Sequence, residues 1–169
     1  GFTRIELLIV VAIIGILAAL LIPNAINALQ KAKQKGTMND ISKIATALSD
    51  YLGDRGSLPT QDGDVSTELK TALSPFYLKV LPTQDQWGTS FKIYCGTAAD
   101  GNYGISGSAE DDFLISSYGR GGALESWTFD SANPEEGLFS VTGAADFAKD
   151  LVSLDGSFIR APRAGATGS

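Results

Sequence analysis

The chain contains no histidine. That removes a Ser-His-Asp or Cys-His catalytic site, and any His-ligated zinc site, from within this sequence. Cys95 is its single cysteine, so no disulfide closes inside the chain and cysteine usage gives no redox compartment. Charge is missing altogether from Leu7 to Gln30, and no aromatic residue lies between Phe2 and Tyr51. The second gap argues against an aromatic path for electrons along that stretch. Basic residues are scarce outside the N-terminal region. Arg4, Lys31, Lys33 and Lys35 against Glu6 give residues 1–36 a charge of +3, which leaves −9 for the rest of a chain whose net is −6. Phosphate contacts need Lys and Arg, so nucleic acid is not expected as a partner of the acidic part.

What is present is an ordinary globular composition, 44% hydrophobic and 19% charged over 169 residues, enough for one domain with a core plus an appendage. The appendage is "GFTRIELLIVVAIIGILAALLIP". About 20 apolar residues cross a membrane, and Ile5–Ile22 with the neutral residues after Pro23 reach that length. A secretory signal peptide would carry a cationic start and a shorter apolar run; here an acid, Glu6, stands near the start. A plain anchor would omit that acid, because a carboxylate in hydrocarbon costs a few kcal/mol and marks function by default. After Pro23 the residues Ile41, Ile44, Ala45, Leu48, Tyr51 and Leu52 recur at i, i+3, i+4, i+7, with polar residues between. The pattern predicts one helix from about Thr3 to Leu52, stopped by Gly53. Its first half is apolar all round and its second half amphipathic. At 1.5 Å per residue it is roughly 75 Å long, more than one head can cover. The uncovered half therefore needs lipid or copies of itself. Gly15 and Pro23 are its weak points, where the helix is easiest to open.

These residues closely resemble the N-terminus of type IV pilins and of the pseudopilins of type II secretion. The resemblance implies cleavage by a prepilin peptidase after Gly1 and methylation of the new N-terminal Phe2. It also implies an assembly role for Glu6, whose carboxylate neutralises the terminal amine of a neighbouring subunit. The physics agrees: an α-amine is cationic at neutral pH, a buried carboxylate needs a charged partner, and Arg4, two residues away, does not face Glu6 on a helix. Arg4 stands where the family has an apolar residue; lipid headgroups and a neighbour's Glu6 both remain open as its partners.

Beyond Gly53 the reading is a loop, a short helix near Val65–Leu73 and a second loop to Pro82, followed by strand signals. "SFKIYC" (Ser90–Cys95) and "DFLISSYG" (Asp112–Gly119) are the strongest; Leu124–Asp130, Leu138–Val141 and Gly156–Pro162 follow, with a short helix over Ala144–Leu151. The expected fold class is α+β: a long N-terminal helical stalk and a C-terminal antiparallel sheet packed on the face Ile41–Leu52, in a pilin-like arrangement. The expected divisions are a hydrophobic helix over 1–30, its amphipathic continuation over 31–53 and a globular head over 54–169, with a mobile tail "RAGATGS". "LPTQDQWGTSFKIY" is similar to the Asp-x-Trp-Gly loop and strand of major pseudopilins, and "FLISSYGRGG" and "DLVSLDGSFIRAPR" to later strands of that family. Residues 123–150 find no counterpart and read as an insertion.

Calcium is the one cofactor the residues raise, since hard cations take six to eight oxygens. Asp100 with Glu110, Asp111 and Asp112 forms one acidic cluster, and Asp130 with Glu135 and Glu136 another. The resemblance implies calcium in the connecting loop of the sheet, but Gly119–Arg120–Gly121 puts a cation where the family has a ligating aspartate. A solvated acidic loop is the favoured reading. "DGDVSTE" lacks the glycine of an EF-hand loop, and "GRGG" is too short for a phosphate loop. Trp87 and Cys95 read as core residues.

The function expected is that of a structural filament subunit, not an enzyme: the major pseudopilin of a type II secretion system. A long type IV surface pilus for adhesion, motility or DNA uptake is the alternative. A membrane-anchored protein binding calcium or a partner is the rival of another class. The resemblance implies a helical homo-oligomer made from the inner membrane, with a prepilin peptidase, an assembly platform and minor pilins as partners. It ends as a periplasmic pseudopilus or a cell-surface pilus.

Overall fold

Thr3 starts the first element. In a computed structural model, which describes residues 1 and 3–163, helix α1 runs Arg4–Arg55 with Thr3 as its N-cap. The helix passes through Gly15 and Pro23 without a break, although Pro23 has no N–H for the turn before it. Gly53 does not stop it. The stop comes three residues later at Gly56, whose φ of 72° is left-handed and whose N–H reaches the Leu52 carbonyl at 2.7 Å. Glycine takes that conformation at no steric cost, whereas Gly53 with helical neighbours on both sides simply continues the helix. Burial on α1 begins only at Gln34 and includes Thr37, Ile41, Ile44, Ala45, Ala47 and Leu48.

The head adds β1 (Asp62–Asp64), helix α2 (Thr67–Leu73, capped by Ser66), β2 (Lys92–Cys95), β3 (Phe113–Ser117), β4 (Leu138–Phe139), β5 (Leu151–Leu154) and β6 (Ser157–Pro162). The strands form one sheet in the order β1-β2-β3-β5-β6-β4. Its pairs are antiparallel except β4 with β6, which is parallel, so the expected antiparallel sheet is in fact mixed.

β3 lies at the centre and is buried on both faces. On one face Ile93, Cys95, Phe113, Ile115 and Leu151 pack with Ile41, Ile44 and Leu48 of α1. On the other, Leu114, Val152 and Ile159 form a second core with Ala99, Tyr103 and Ile105, covered by Trp127 and Phe129. A strand covered on both faces shows a continuous apolar run rather than alternation, which is how "FLISS" reads.

Several expected elements differ. Leu124–Asp130 is not a strand: its burial alternates with period two, but its backbone joins no ladder. Ala144–Leu151 is not a continuous helix, being a 3₁₀ turn over Ala144–Ala148 followed by β5. β5 and β1 are additional strands, β5 pairing as a hairpin with β6 and β1 being three mostly polar residues at the sheet edge. Of the tail, Arg163 is described and 164–169 lie outside the described residues.

Candidate functional site

The N-terminal end of α1 is built by a reciprocal cap. The Thr3 hydroxyl accepts from the Glu6 N–H at 3.3 Å, and Glu6 Oε2 accepts from the Thr3 N–H at 2.7 Å and from its hydroxyl at 2.9 Å. A capping box of this kind satisfies donors that a helix start leaves open. Thr3, not Arg4, is therefore the intramolecular partner of the acid. No Arg4–Glu6 ion pair is present among the described residues, as their spacing predicts. Among the described residues no hydrogen bond reaches Glu6 Oε1, so one carboxylate oxygen remains open. Gly1 precedes this cap; the methylation expected at Phe2 lies outside the described residues.

From Ile5 to Leu29 every large aliphatic side chain is exposed. α1 is the one helix among the described residues long and apolar enough to cross a membrane, and that part of it is uncovered by the head. Gly15 and Pro23 lie within this bare stretch. Apolar surface of this extent marks a membrane or protein contact.

The head is held to the stalk by the loop "DQWG". Asp85, buried, accepts at Oδ1 from the N–H groups of Trp87 and Thr89, both at 2.9 Å, and at Oδ2 from the Ser117 hydroxyl at 2.7 Å. That fixes the loop against β3. The Gln86 N–H then donates to the Thr37 hydroxyl, its amide to Asp40 Oδ2 at 2.9 Å, and Trp87 Nε1 to Gln30 Oε1 at 2.8 Å. Trp87 is thus partly buried and also a hydrogen-bonding clamp on α1, a role that core packing alone does not describe.

The acidic residues proposed for calcium do not converge. Among the described residues no group of three or more His, Cys, Asp or Glu side chains is placed to hold a metal ion. Asp100 instead accepts from the Ser108 N–H at 2.8 Å, which holds its carboxyl below the usual range, and Asp112 accepts from the Ala109 N–H at 2.7 Å. Glu110 and Asp111 are exposed. Asp130 binds Asn133 and the Ala132 N–H rather than Glu135 or Glu136. Cys95 is a buried core residue, its thiol pushed up to about 12 by burial. It is a poor nucleophile there, because the thiolate is the reactive form.

Residues 123–150 are no loose insertion. Arg160 of β6 donates to both carboxylate oxygens of Glu125 and to the Gly137 carbonyl, with its guanidinium over Trp127 and Phe139 at 5.0 and 5.2 Å. Asp150, fully buried, accepts from the Tyr103 hydroxyl at 2.7 Å and the Glu125 N–H at 3.1 Å. The segment is the lid of the second core. Sequence reasoning missed this network; the alternation of Glu125, Trp127 and Phe129 was its signal.

The chain matches a family model described as type II secretion system protein G over residues 24–125. Three curated proteins named type II secretion system core protein G are similar to it. That of Vibrio cholerae is 32% identical over 66% of this chain and 88% of its own length. That of Pseudomonas aeruginosa is 39% identical over 54% of this chain and 70% of its own length. That of Pectobacterium carotovorum is 32% identical over 55% of this chain and 65% of its own length. No solved structure matches.

Proposed function

The chain belongs to the type II secretion system protein G family, and from that footing we propose that it is the structural subunit of a pseudopilus, drawn from the inner membrane into a helical fibre. The carrying observation is the bare half of α1: a long apolar surface without a partner in the monomer, opened by one acid that Thr3 holds in place. Bilayer and fibre core are both apolar, so moving the helix between them gains little from the hydrophobic effect. Glu6 supplies the bias. A charged carboxylate facing hydrocarbon is unfavourable, which draws Glu6 towards an opposite charge. In a fibre the same carboxylate meets the terminal amine of a neighbour, and the open Oε1 is the oxygen that receives it.

In this reading a prepilin peptidase cuts after Gly1, Phe2 carries the amine, and an assembly platform and minor pilins start the fibre in the periplasm. The chain catalyses no reaction. The Glu6→Ala variant is expected to enter the membrane normally and to give few fibres; wild-type fibre yield from it sinks the mechanism. Mass spectrometry of the native N-terminus is expected to find a methylated phenylalanine. An unprocessed terminus favours a plain anchor instead. Electron microscopy of the cells separates a short periplasmic fibre from a long surface pilus.

A further inference from the structure

Among the described residues the head exposes three large apolar side chains, Phe76 (82%), Val80 (72%) and Leu124 (62%). Phe76 and Val80 share one loop after α2. Phe76 meets Tyr77 edge-on at 4.9 Å, and Tyr77 meets Tyr51 of α1 at 5.4 Å. Asp50 and Asp54 of α1 line an open groove beside Phe76. Arg55 is held over the Tyr51 ring at 5.8 Å, and Lys79 lies between the two apolar residues in sequence. This knob therefore sits at the end of the head far from the apolar span. Tyr51 lies 29 residues beyond Ile22, roughly 44 Å along the helix, so the knob does not reach the bilayer that α1 crosses.

The opposite end of the head is marked by the Trp87–Gln30 bond. Immediately before it Ile26 (49%) and Leu29 (55%) stand exposed, continuous with the bare stalk, and Lys31 and Lys35 are exposed just after it. From Gln30 to Arg55 the helix rises roughly 38 Å. Knob against knob would set Asp50 and Asp54 of one copy against those of another, offset by Arg55 and Lys79; knob against collar sets the same acids near lysines and apolar surface on apolar surface. Contacts between unlike ends do not close on themselves and build open fibres.

We propose that Phe76 and Val80, with the Asp50–Asp54 groove, dock on the Ile26–Leu29 collar and its lysines in a second copy of this chain, one head-length further along the fibre. The inference rests on the filament reading above and adds to it a head-to-collar contact with an axial offset of about 38 Å. It is tested in cells carrying the secretion machinery and the full chain, with the double variant Phe76→Cys/Leu29→Cys and each single variant. Cys95, buried, remains in all of them. Oxidation is expected to give a ladder of crosslinked multimers from the double variant and none from the singles. Phe76→Asp is expected to lower fibre yield roughly tenfold, the loss of one interface anchor, while Phe76→Leu keeps it. Fibres that form normally without a ladder, or dimers from Phe76→Cys alone, overturn the contact and leave the filament reading standing. Absence of fibres from the unaltered chain overturns both.

Discussion

Asp150 is fully enclosed by the second core, and burial pushes its carboxyl up from 3.8 to about 6 despite the hydrogen bonds from Tyr103 and Glu125. A carboxyl raised on folding takes up its proton in the native state first, so stability rises as pH falls from about 6 towards 4. Below that, Asp100, Asp130 and Asp146, all lowered by hydrogen bonds, begin to be protonated and stability falls again. Chemical denaturation of the protein between about pH 2 and 7 is expected to show this optimum near pH 4, and Asp150→Asn to flatten its upper limb. Gly137 is a second test at this scale. A Cβ there would lie 1.8 Å from the Ile159 carbonyl oxygen and 2.8 Å from the Trp127 ring. Backbone cannot yield that distance without breaking the β4–β6 pair, so Gly137→Ala is expected to cost at least about 2–3 kcal/mol in unfolding free energy.

At the scale of elements, the loop from Asp85 to Gly88 decides how stalk and head are joined. One buried carboxylate serves two loop amides and the Ser117 hydroxyl, and the loop then hands three hydrogen bonds to α1. Asp85→Ala leaves those donors buried and unpaired. It is expected to lower stability by about 3 kcal/mol or more and to speed amide exchange in α1 around Thr37. Trp87→Phe, which keeps an aromatic ring but loses the indole N–H bond to Gln30 and part of its packing, is expected to cost at least about 1 kcal/mol. The Asp-x-Trp-Gly pattern was legible as a motif, but its partners Gln30 and Thr37 lie about fifty positions earlier, and no local pattern connects them. The strand over Leu124–Asp130 failed for a related reason. Period-two burial reports which side chains face a core, whereas a ladder needs a neighbouring backbone in register, and here only the Phe129 N–H finds one, at the Tyr103 carbonyl.

At the scale of the molecule, none of the described residues before Gln34 is buried, so the head does not depend on the stalk's first 29 residues. A chain lacking them is expected to stay monomeric in solution and to unfold within about 2 °C of the full protein in detergent, a shift below that of a 1 kcal/mol change. Loss of the head's cooperative transition in the shortened chain would contradict the division. Removing calcium with a chelator is expected to leave that transition in place, because Asp100 and Asp112 already bind loop amides and the acids nearby do not converge.

The sequence by itself determined the stalk: its approximate length, its bare apolar half, the acid Glu6 near its start and the buried stripe Ile41–Leu48. These depend on spacing along one helix, where neighbours in space are neighbours in sequence. The α+β class followed from the same stripe and the β-rich runs after it. Only the tertiary structure decided that the acidic loops stay apart and that residues 123–150 form a lid over the Asp150–Arg160 network. Each of those depends on groups far apart in the chain meeting inside a fold. Burial then sets their hydrogen bonding and charge, and no stretch of sequence carries that information alone.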